Sequence, residues 1–284
     1  MYIFKRVSDL QNYLKQKQFE EKKIGFVPTM GALHLGHLTL LNEASLVNDI
    51  IVCSIFINPR QFEDTKDLLN YPNPIESDIE KLENLNCTVL FLPDNNEVYP
   101  CDHNMLNLDL GKLDKTMEGL HRPGHFKGVV EVVHRLLDIV NPDNLYMGQK
   151  DYQQFAIIKH MLKMIQSNVK IIRVPIVREP DGLAMSSRNI RLSIEGRKKA
   201  SLISTSLLQA KEDANTLNVA AVKENAINFL NTHNIEIDYF EIVDGNTLQT
   251  IESFNQSDYV TACTTVRIDG VRLLDNIIIK EIVD

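Results

Sequence analysis

Hydrophobic and polar positions alternate between two periods through the first 178 residues. Ile24 to Pro28 is a short apolar run after the polar stretch Glu20 to Lys23, and it ends in Pro28-Thr29-Met30-Gly31. Behind it, Leu38, Leu41 and Ser45 fall on one helical face, with Leu40, Ala44 and Val47 beside them. Ile50 to Ile57 is β-branched and almost unbroken, as expected of a strand buried on both faces. A helix over Ile75 to Leu85, a strand over Thr88 to Leu92 and a helix over Val129 to Val140, stopped by Pro142, continue the alternation. Leu145 to Met147 reads as a short strand, Asp151 to Ile165 as an amphipathic helix and Val169 to Val177 as a further strand. Strand and helix in turn predict an α/β fold, a Rossmann-like parallel sheet with helices on both faces.

The pattern changes after Pro180. Ser193 can cap a helix toward Ala214, and a second helix follows over Val219 to Leu230. Ile235 to Val243 and Tyr259 to Ile279 are strand-like, and Asp269-Gly270 inside the latter is a hairpin signal. Two domains are expected: residues 1–178 as the sheet domain, and residues 179–284 as a smaller α+β domain with an antiparallel sheet, suited to act as a lid.

Composition narrows the classes. Hydrophobic residues make up 44% of the 284, enough for a core and too many for disorder. No apolar run reaches the roughly 20 residues a membrane helix needs, and Met1 to Leu14 lacks the apolar centre of a signal peptide. Cys53, Cys87, Cys101 and Cys263 lie far apart without a C-x-x-C pair, which fits a reducing cytoplasm. With 38 acidic against 30 basic residues the net charge is −8, which disfavours nucleic acid as a partner.

The candidate chemistry begins at His34-Leu35-Gly36-His37, between a strand and the helix it opens. The first N–H groups of a helix lack internal partners, and with the helix dipole they favour an anion by about 0.3–1 kcal/mol. Gly31 and Gly36 permit close backbone approach to a ligand, and His34 and His37 share a helix face. Imidazoles there can donate hydrogen bonds to phosphate or, when protonated, neutralise a leaving pyrophosphate. Two surface histidines at a cap are the plain alternative, and a zinc pair a third, although no further ligand cluster is evident. Neither a P-loop nor the dinucleotide fingerprint is present.

Gly148-Gln149-Lys150-Asp151 spans a strand end and a helix start, where open α/β sheets bind ligands. Lys150 suits a phosphate, Asp151 a ribose hydroxyl or a helix cap, and Gln154 lies one turn further on. Met185-Ser186-Ser187-Arg188-Asn189 offers hydroxyls, backbone N–H groups and a guanidinium for a phosphate clamp. Asn58 to Phe62 and Glu118 to Phe126 are unusually rich in polar chemistry for loops, although turn formation alone accounts for either.

These segments, in this order, resemble the pantothenate synthetase family over nearly the whole chain. The resemblance rests on Pro28-Thr29-Met30-Gly31, His34-x-Gly-His37, Asn58-Pro59-x-Gln61-Phe62, Arg122-Pro123-Gly124-His125-Phe126, Lys150-Asp151 and Ser186-Ser187-Arg188-Asn189. It implies a nucleotidyltransferase-type fold and an ATP-dependent ligase. That enzyme joins pantoate to β-alanine through a pantoyl adenylate, releases AMP and pyrophosphate, and uses Mg²⁺ with ATP as co-substrate. It further implies a cytoplasmic homodimer. By the same resemblance Met30, Gly31, Ala32, Leu33, His34, Leu35, Gly36 and His37 line the ATP site. Gly148, Gln149, Lys150, Asp151, Val177, Met185, Ser186, Ser187 and Arg188 complete it. His34, His37 and Lys150 are the implied catalytic residues, and Gln61, Gln154 and Arg122 the substrate-binding ones. The side chain at position 149, which is Gln here, is assigned no chemistry. The protein ligands of the metal stay unknown, with Asp78 a contact through water.

Three rivals remain at the level of sequence. A nucleotidyltransferase would leave AMP on its product, a regulatory module would bind ATP without turnover, and a tRNA synthetase would need a longer, less acidic chain.

Overall fold

The computed structural model of the chain describes residues 1–62, 68–85, 87–101 and 106–282. The chain forms two compact units. One comprises Met1–Leu110, Arg122–Gly148 and Ile157–Pro175; the other comprises Gly111–His121, Gln149–Ala156 and Ile176–Asp284.

The first unit is built on six strands: β1 (Tyr2–Phe4), β2 (Ile24–Thr29), β3 (Ile50–Ile55), β4 (Val89–Phe91), β5 (Asn144–Gly148) and β6 (Lys170–Val174). Single-turn helices aside, its helices are α1 (Val7–Phe19), α2 (Leu35–Ser45), α3 (Ile75–Asn84) and α4 (His125–Val140), followed by α5 (Tyr152–Met164), which begins in the second unit. All strand pairs in this sheet are parallel, in the order β1-β4-β3-β2-β5-β6. Every residue of β3 is buried. Ile51, Cys53 and Ile55 pack with Val27 and Leu90 against Leu40, Leu41 and Ala44 of α2 and Leu82 of α3. On the other face Phe26 and Val52 are equally inaccessible, and α4 packs on β2 and α1. Each fully buried side chain of this size contributes about 1.5–3 kcal/mol, which is why the sheet reads as unbroken apolar runs.

The sequence pattern misses β1 and α1. β1 has three largely exposed residues at the sheet edge, and α1 buries only Leu10 and Leu14. The His-x-Gly-His helix therefore follows the second strand of the chain, not the first. Helix α4 starts at His125, four residues before the expected Val129, because Gly124 enters it at φ +83° and Phe126 is already buried. β6 stops at Val174 rather than Val177, since Pro175 has no N–H to continue a ladder.

The sheet reverses its winding between β2 and β5. In open α/β sheets ligands bind in the crevice outside the carboxyl ends of the strands at such a switch. β2 leads directly into Met30 to His37, and β5 ends at Gly148.

The second unit packs α6 (Ile194–Asp213) and α7 (Val219–Thr232) with an antiparallel sheet of β7 (Glu236–Asp244), β8 (Tyr259–Ile268) and β9 (Val271–Glu281). Ile203 and Leu207 of α6, Val222 and Leu230 of α7, and Phe240, Val260 and Val266 of the strands form its core. Ser193 caps α6 through its hydroxyl, as its type and place predict. Asp269 and Gly270 turn β8 into β9 at φ +52° and +73°, the paired positive angles of a two-residue hairpin turn.

Candidate active site

At the end of β2 the chain is held by its own Thr29, by a backbone carbonyl of β3 and by two side chains of α3. Thr29 Oγ1 donates to Ser54 O at 2.7 Å and accepts from Gly31 N–H at 3.2 Å. Gly31 adopts φ +81°, and a Cβ there would lie 3.2 Å from Asp78 Oδ2. Asp78, on α3, is fully inaccessible. Its Oδ1 accepts from Leu33 N–H at 2.8 Å, and Lys81 Nζ donates to Leu33 O at 2.8 Å. Among the described residues Asp78 Oδ2 has no hydrogen-bond partner. The Met30–Leu33 loop is thus fastened to α3 at Leu33, on both its N–H and its C=O.

His34 is the N-cap of α2. Its Nδ1 accepts from Gly36 N–H at 3.2 Å, while His37 Nδ1 accepts from His34 N–H at 3.4 Å. The rings stack at 4.0 Å between centroids. A ring nitrogen that accepts carries no proton, so each neutral imidazole holds its hydrogen on Nε2. A doubly protonated ring has no acceptor and would break its cap bond. In their neutral form the two rings thus present Nε2–H groups as donors.

After β3, Asn58 is 1% exposed and saturated with partners. Its Nδ2 donates to Gln61 Oε1 and to Gly128 O, both at 3.1 Å, while its Oδ1 accepts from Arg60 N–H and the Tyr99 hydroxyl. With Oε1 so engaged, Gln61 turns its amide NH₂ toward Met30 Sδ at 3.1 Å. Arg122 NH1 donates to His125 Nε2 at 3.1 Å, which leaves His125 Nδ1–H to donate to Gln61 O at 2.9 Å. Arg60 pairs with the buried Glu131 and lies 3.8 Å over the Tyr99 ring. A Cβ on Gly128 would meet Arg60 O at 2.4 Å, so this glycine lets α4 touch the Pro59–Gln61 turn. Three of the expected residues, Met30, Gln61 and Arg122, are thereby linked. Tyr99 and Glu131 were not anticipated, although Glu131 is an acid set among four valines, Val129, Val130, Val132 and Val133, and carried that signal.

In the second unit Gln149–Asp151 make one tight turn ahead of α5. Lys150 Nζ lies 3.7 Å from Asp151 Oδ1, with its side chain 21% exposed. The Gln149 side chain is turned inward and donates to Asn276 Oδ1 at 3.1 Å. Of the two neighbouring glutamines, Gln153 is committed to Leu113 O, Thr116 O and Glu118 N–H. Gln154 is half-buried, and its amide makes no hydrogen bond among the described residues. Val177 O accepts from Met185 N–H at 3.0 Å, closing a hairpin with Gly182 at φ +88°. Ser186 Oγ accepts from Arg188 N–H and caps the short turn Ser187–Arg191. Glu118 is occupied by a bidentate pair with Arg272.

Burial pushes the Cys87 thiol up to about 11 and raises Cys53 and Cys263 as well. None of these three supplies a thiolate nucleophile at neutral pH.

The family model for pantoate-beta-alanine ligase matches residues 2–278. The chain is 43% identical to the pantothenate synthetase of Azobacteroides pseudotrichonymphae genomovar. CFP2 over 279 residues, 98% of this chain and 99% of that one. It is 44% identical over 278 residues to that of Porphyromonas gingivalis, at 98% and 99% coverage. Among solved structures, a pantothenate synthetase from Thermus thermophilus superposes with TM-score 0.92 at 36% identity, covering 99% and 100% of the two chains. A pantoate-beta-alanine ligase from Francisella tularensis complexed with beta-gamma ATP and beta-alanine does so with TM-score 0.81 at 35% identity, covering 98% of each.

Proposed function

The chain belongs to the pantoate–β-alanine ligase family, and on that premise we propose how its side chains divide the reaction. It is an ATP-using ligase that forms pantothenate from pantoate and β-alanine. A carboxylate resists amine attack because oxide would have to leave. In the proposed first step the pantoate carboxylate attacks the α-phosphorus of ATP and pyrophosphate departs. In the second, neutral β-alanine attacks the acyl carbon, loses a proton and displaces AMP.

Charge grows on phosphoryl oxygens in the first step. His34 and His37 are proposed to meet that charge with their Nε2–H groups, and Lys150 with its ammonium. The observation that carries this is the pair of cap bonds to Nδ1, which holds both imidazoles as oriented donors. Met30 to His37, Gly148 to Asp151, Val177 and Met185 to Arg188 are the proposed nucleotide contacts. Val177 would use its N–H or the second lone pair of its carbonyl, since Met185 N–H already occupies the first.

Gln61, Gln154 and Arg122 are proposed to hold pantoate and β-alanine. A neutral amide orients a carboxylate without the strong ground-state grip of a bidentate guanidinium, which would blunt its nucleophilicity. Gln61 offers NH₂ rather than oxygen because Asn58 occupies Oε1. Gln61→Ala is expected to weaken pantoate use by about 1.5–3 kcal/mol, the worth of a hydrogen bond to a charged group, while ATP binding stays near normal. Initial rates against each substrate check this. A raised ATP requirement with unchanged pantoate dependence would move Gln61 to the nucleotide.

Among the described residues no three His, Cys, Asp or Glu side chains cluster as metal ligands. A Mg²⁺ that comes with ATP is proposed to rest mainly on phosphate oxygens and water. The unpartnered Asp78 Oδ2 beside Gly31 would hold it through water. When bound, the ion supplies neutralisation of phosphate charge.

The reading is tested by mass spectrometry of products formed from ATP, Mg²⁺, pantoate and β-alanine. Pantothenate and AMP are expected in equal amounts, with pyrophosphate exchange into ATP when β-alanine is omitted. A stable adenylylated product that ignores β-alanine would sink the ligase reading. We further propose a homodimer in the cytoplasm; light scattering checks the first and cell fractionation the second.

A further inference from the structure

Asn276 lies in β9, 2% exposed, and its side-chain amide is fully used. Nδ2 donates to Gln149 O and to Lys150 O, each at 2.9 Å, and Oδ1 accepts from Gln149 Nε2 at 3.1 Å. The preceding residue, Asp275, is 4% exposed and takes both ends of the Arg178 guanidinium, at 2.7 and 3.0 Å. Arg178 NH1 also donates to Gly182 O at 3.0 Å, inside the hairpin that leads to Met185. Asp275 Oδ1 accepts from the backbone N–H of Asn276 at 2.7 Å, which fixes the Asp275 side chain to the strand backbone at Asn276.

We infer that Asp275 and Asn276 are positioning residues for the first chemical step. Asn276 fixes the backbone of Lys150, and Asp275, through Arg178, fixes the hairpin that delivers Met185 to Arg188. The inference rests on the assignment of Lys150 to that step.

The physical reason lies in which carbonyls are held. A peptide unit is planar, so holding Gln149 O and Lys150 O holds the two planes that flank the Lys150 Cα. The φ and ψ of Lys150 are then constrained, and only its flexible side chain is left to search. A strand needing nothing but stability at so buried a position would favour an apolar side chain, which leaves no amide to satisfy. Two consecutive buried polar residues, one donating to the Lys150 turn and the other accepting from the arginine that holds the hairpin, point to placement.

The test compares Asn276→Ala, Lys150→Ala and the double variant in the full chain, by single-turnover adenylate formation and by β-alanine attack on supplied pantoyl adenylate. Misplacement by about 1 Å costs on the order of 10²-fold, so Asn276→Ala is expected to slow adenylation about 10- to 100-fold. Amine attack should lose much less, a split that general loosening of the fold would not produce. The double variant should be no slower in adenylation than Lys150→Ala alone. Adenylation by Asn276→Ala at the parent rate, or a double variant slowed by the full product of the single effects, overturns the inference. Lys150→Ala that adenylates normally would instead show that the Lys150 assignment has failed. If Asn276→Ala does not fold, Asn276→Ser leaves a smaller void, cannot span both carbonyls and is read by the same criteria.

Discussion

Lys150→Ala is expected to slow adenylate formation by about 10²–10³-fold or more, because a preorganised charge aimed at a phosphoryl transition state is lost together with its hydrogen bond. The fold should tolerate the change. Lys150 lies 3.7 Å from the exposed Asp151, a kind of pair that contributes little to stability, and its charge also acts on the buried Asp275. β-Alanine attack on a supplied adenylate should suffer far less, since pyrophosphate has already left. Single-turnover kinetics on each half-reaction separate the two. Equal slowing of both would mean that Lys150 holds the nucleotide generally, and its assignment to the first transition state would be wrong.

Two substitutions at His34 give the second large effect and divide it into parts. His34→Ala removes both the Nδ1 acceptor for Gly36 N–H and the Nε2–H donor. Loss of an N-cap costs about 0.5–2 kcal/mol, and loss of an oriented donor at developing charge about 10²–10³ in rate. Asparagine is a strong N-cap, so His34→Asn is expected to return the melting temperature toward that of the parent chain. Its shorter side chain cannot reach where the ring Nε2 lies, so adenylation should stay slow. Full recovery of rate in His34→Asn would reduce His34 to a cap and leave the chemistry to His37 and Lys150.

How far the chain could be read depended on how local each cause was. The six buried residues of β3, the hydroxyl cap of Ser193 on α6 and the Asp269-Gly270 turn depend on neighbours close in sequence, and all were legible. β1 and α1 were not, because three edge residues, two of them exposed, and a helix with two buried leucines carry little periodicity. Within the candidate site the motif residues were legible as types. Their hydrogen-bonding directions were not: that Gln61 turns out its NH₂ depends on Asn58, and which proton His125 donates depends on Arg122.

The sequence by itself determined the alternation that makes a parallel sheet, the glycines and histidines at the end of β2, and the family. These follow from short-range periodicity, turn chemistry and ordered motifs. Only the tertiary structure decided which buried polar groups satisfy one another. Leu33 N–H finds Asp78 45 residues away, Arg60 finds Glu131 at 71, Arg178 finds Asp275 at 97, and Gln149 finds Asn276 at 127. Burial demands that each such group be paired, but it does not say with which. Many acids, amides and guanidinia along the chain satisfy that demand equally well until folding brings one of them within reach.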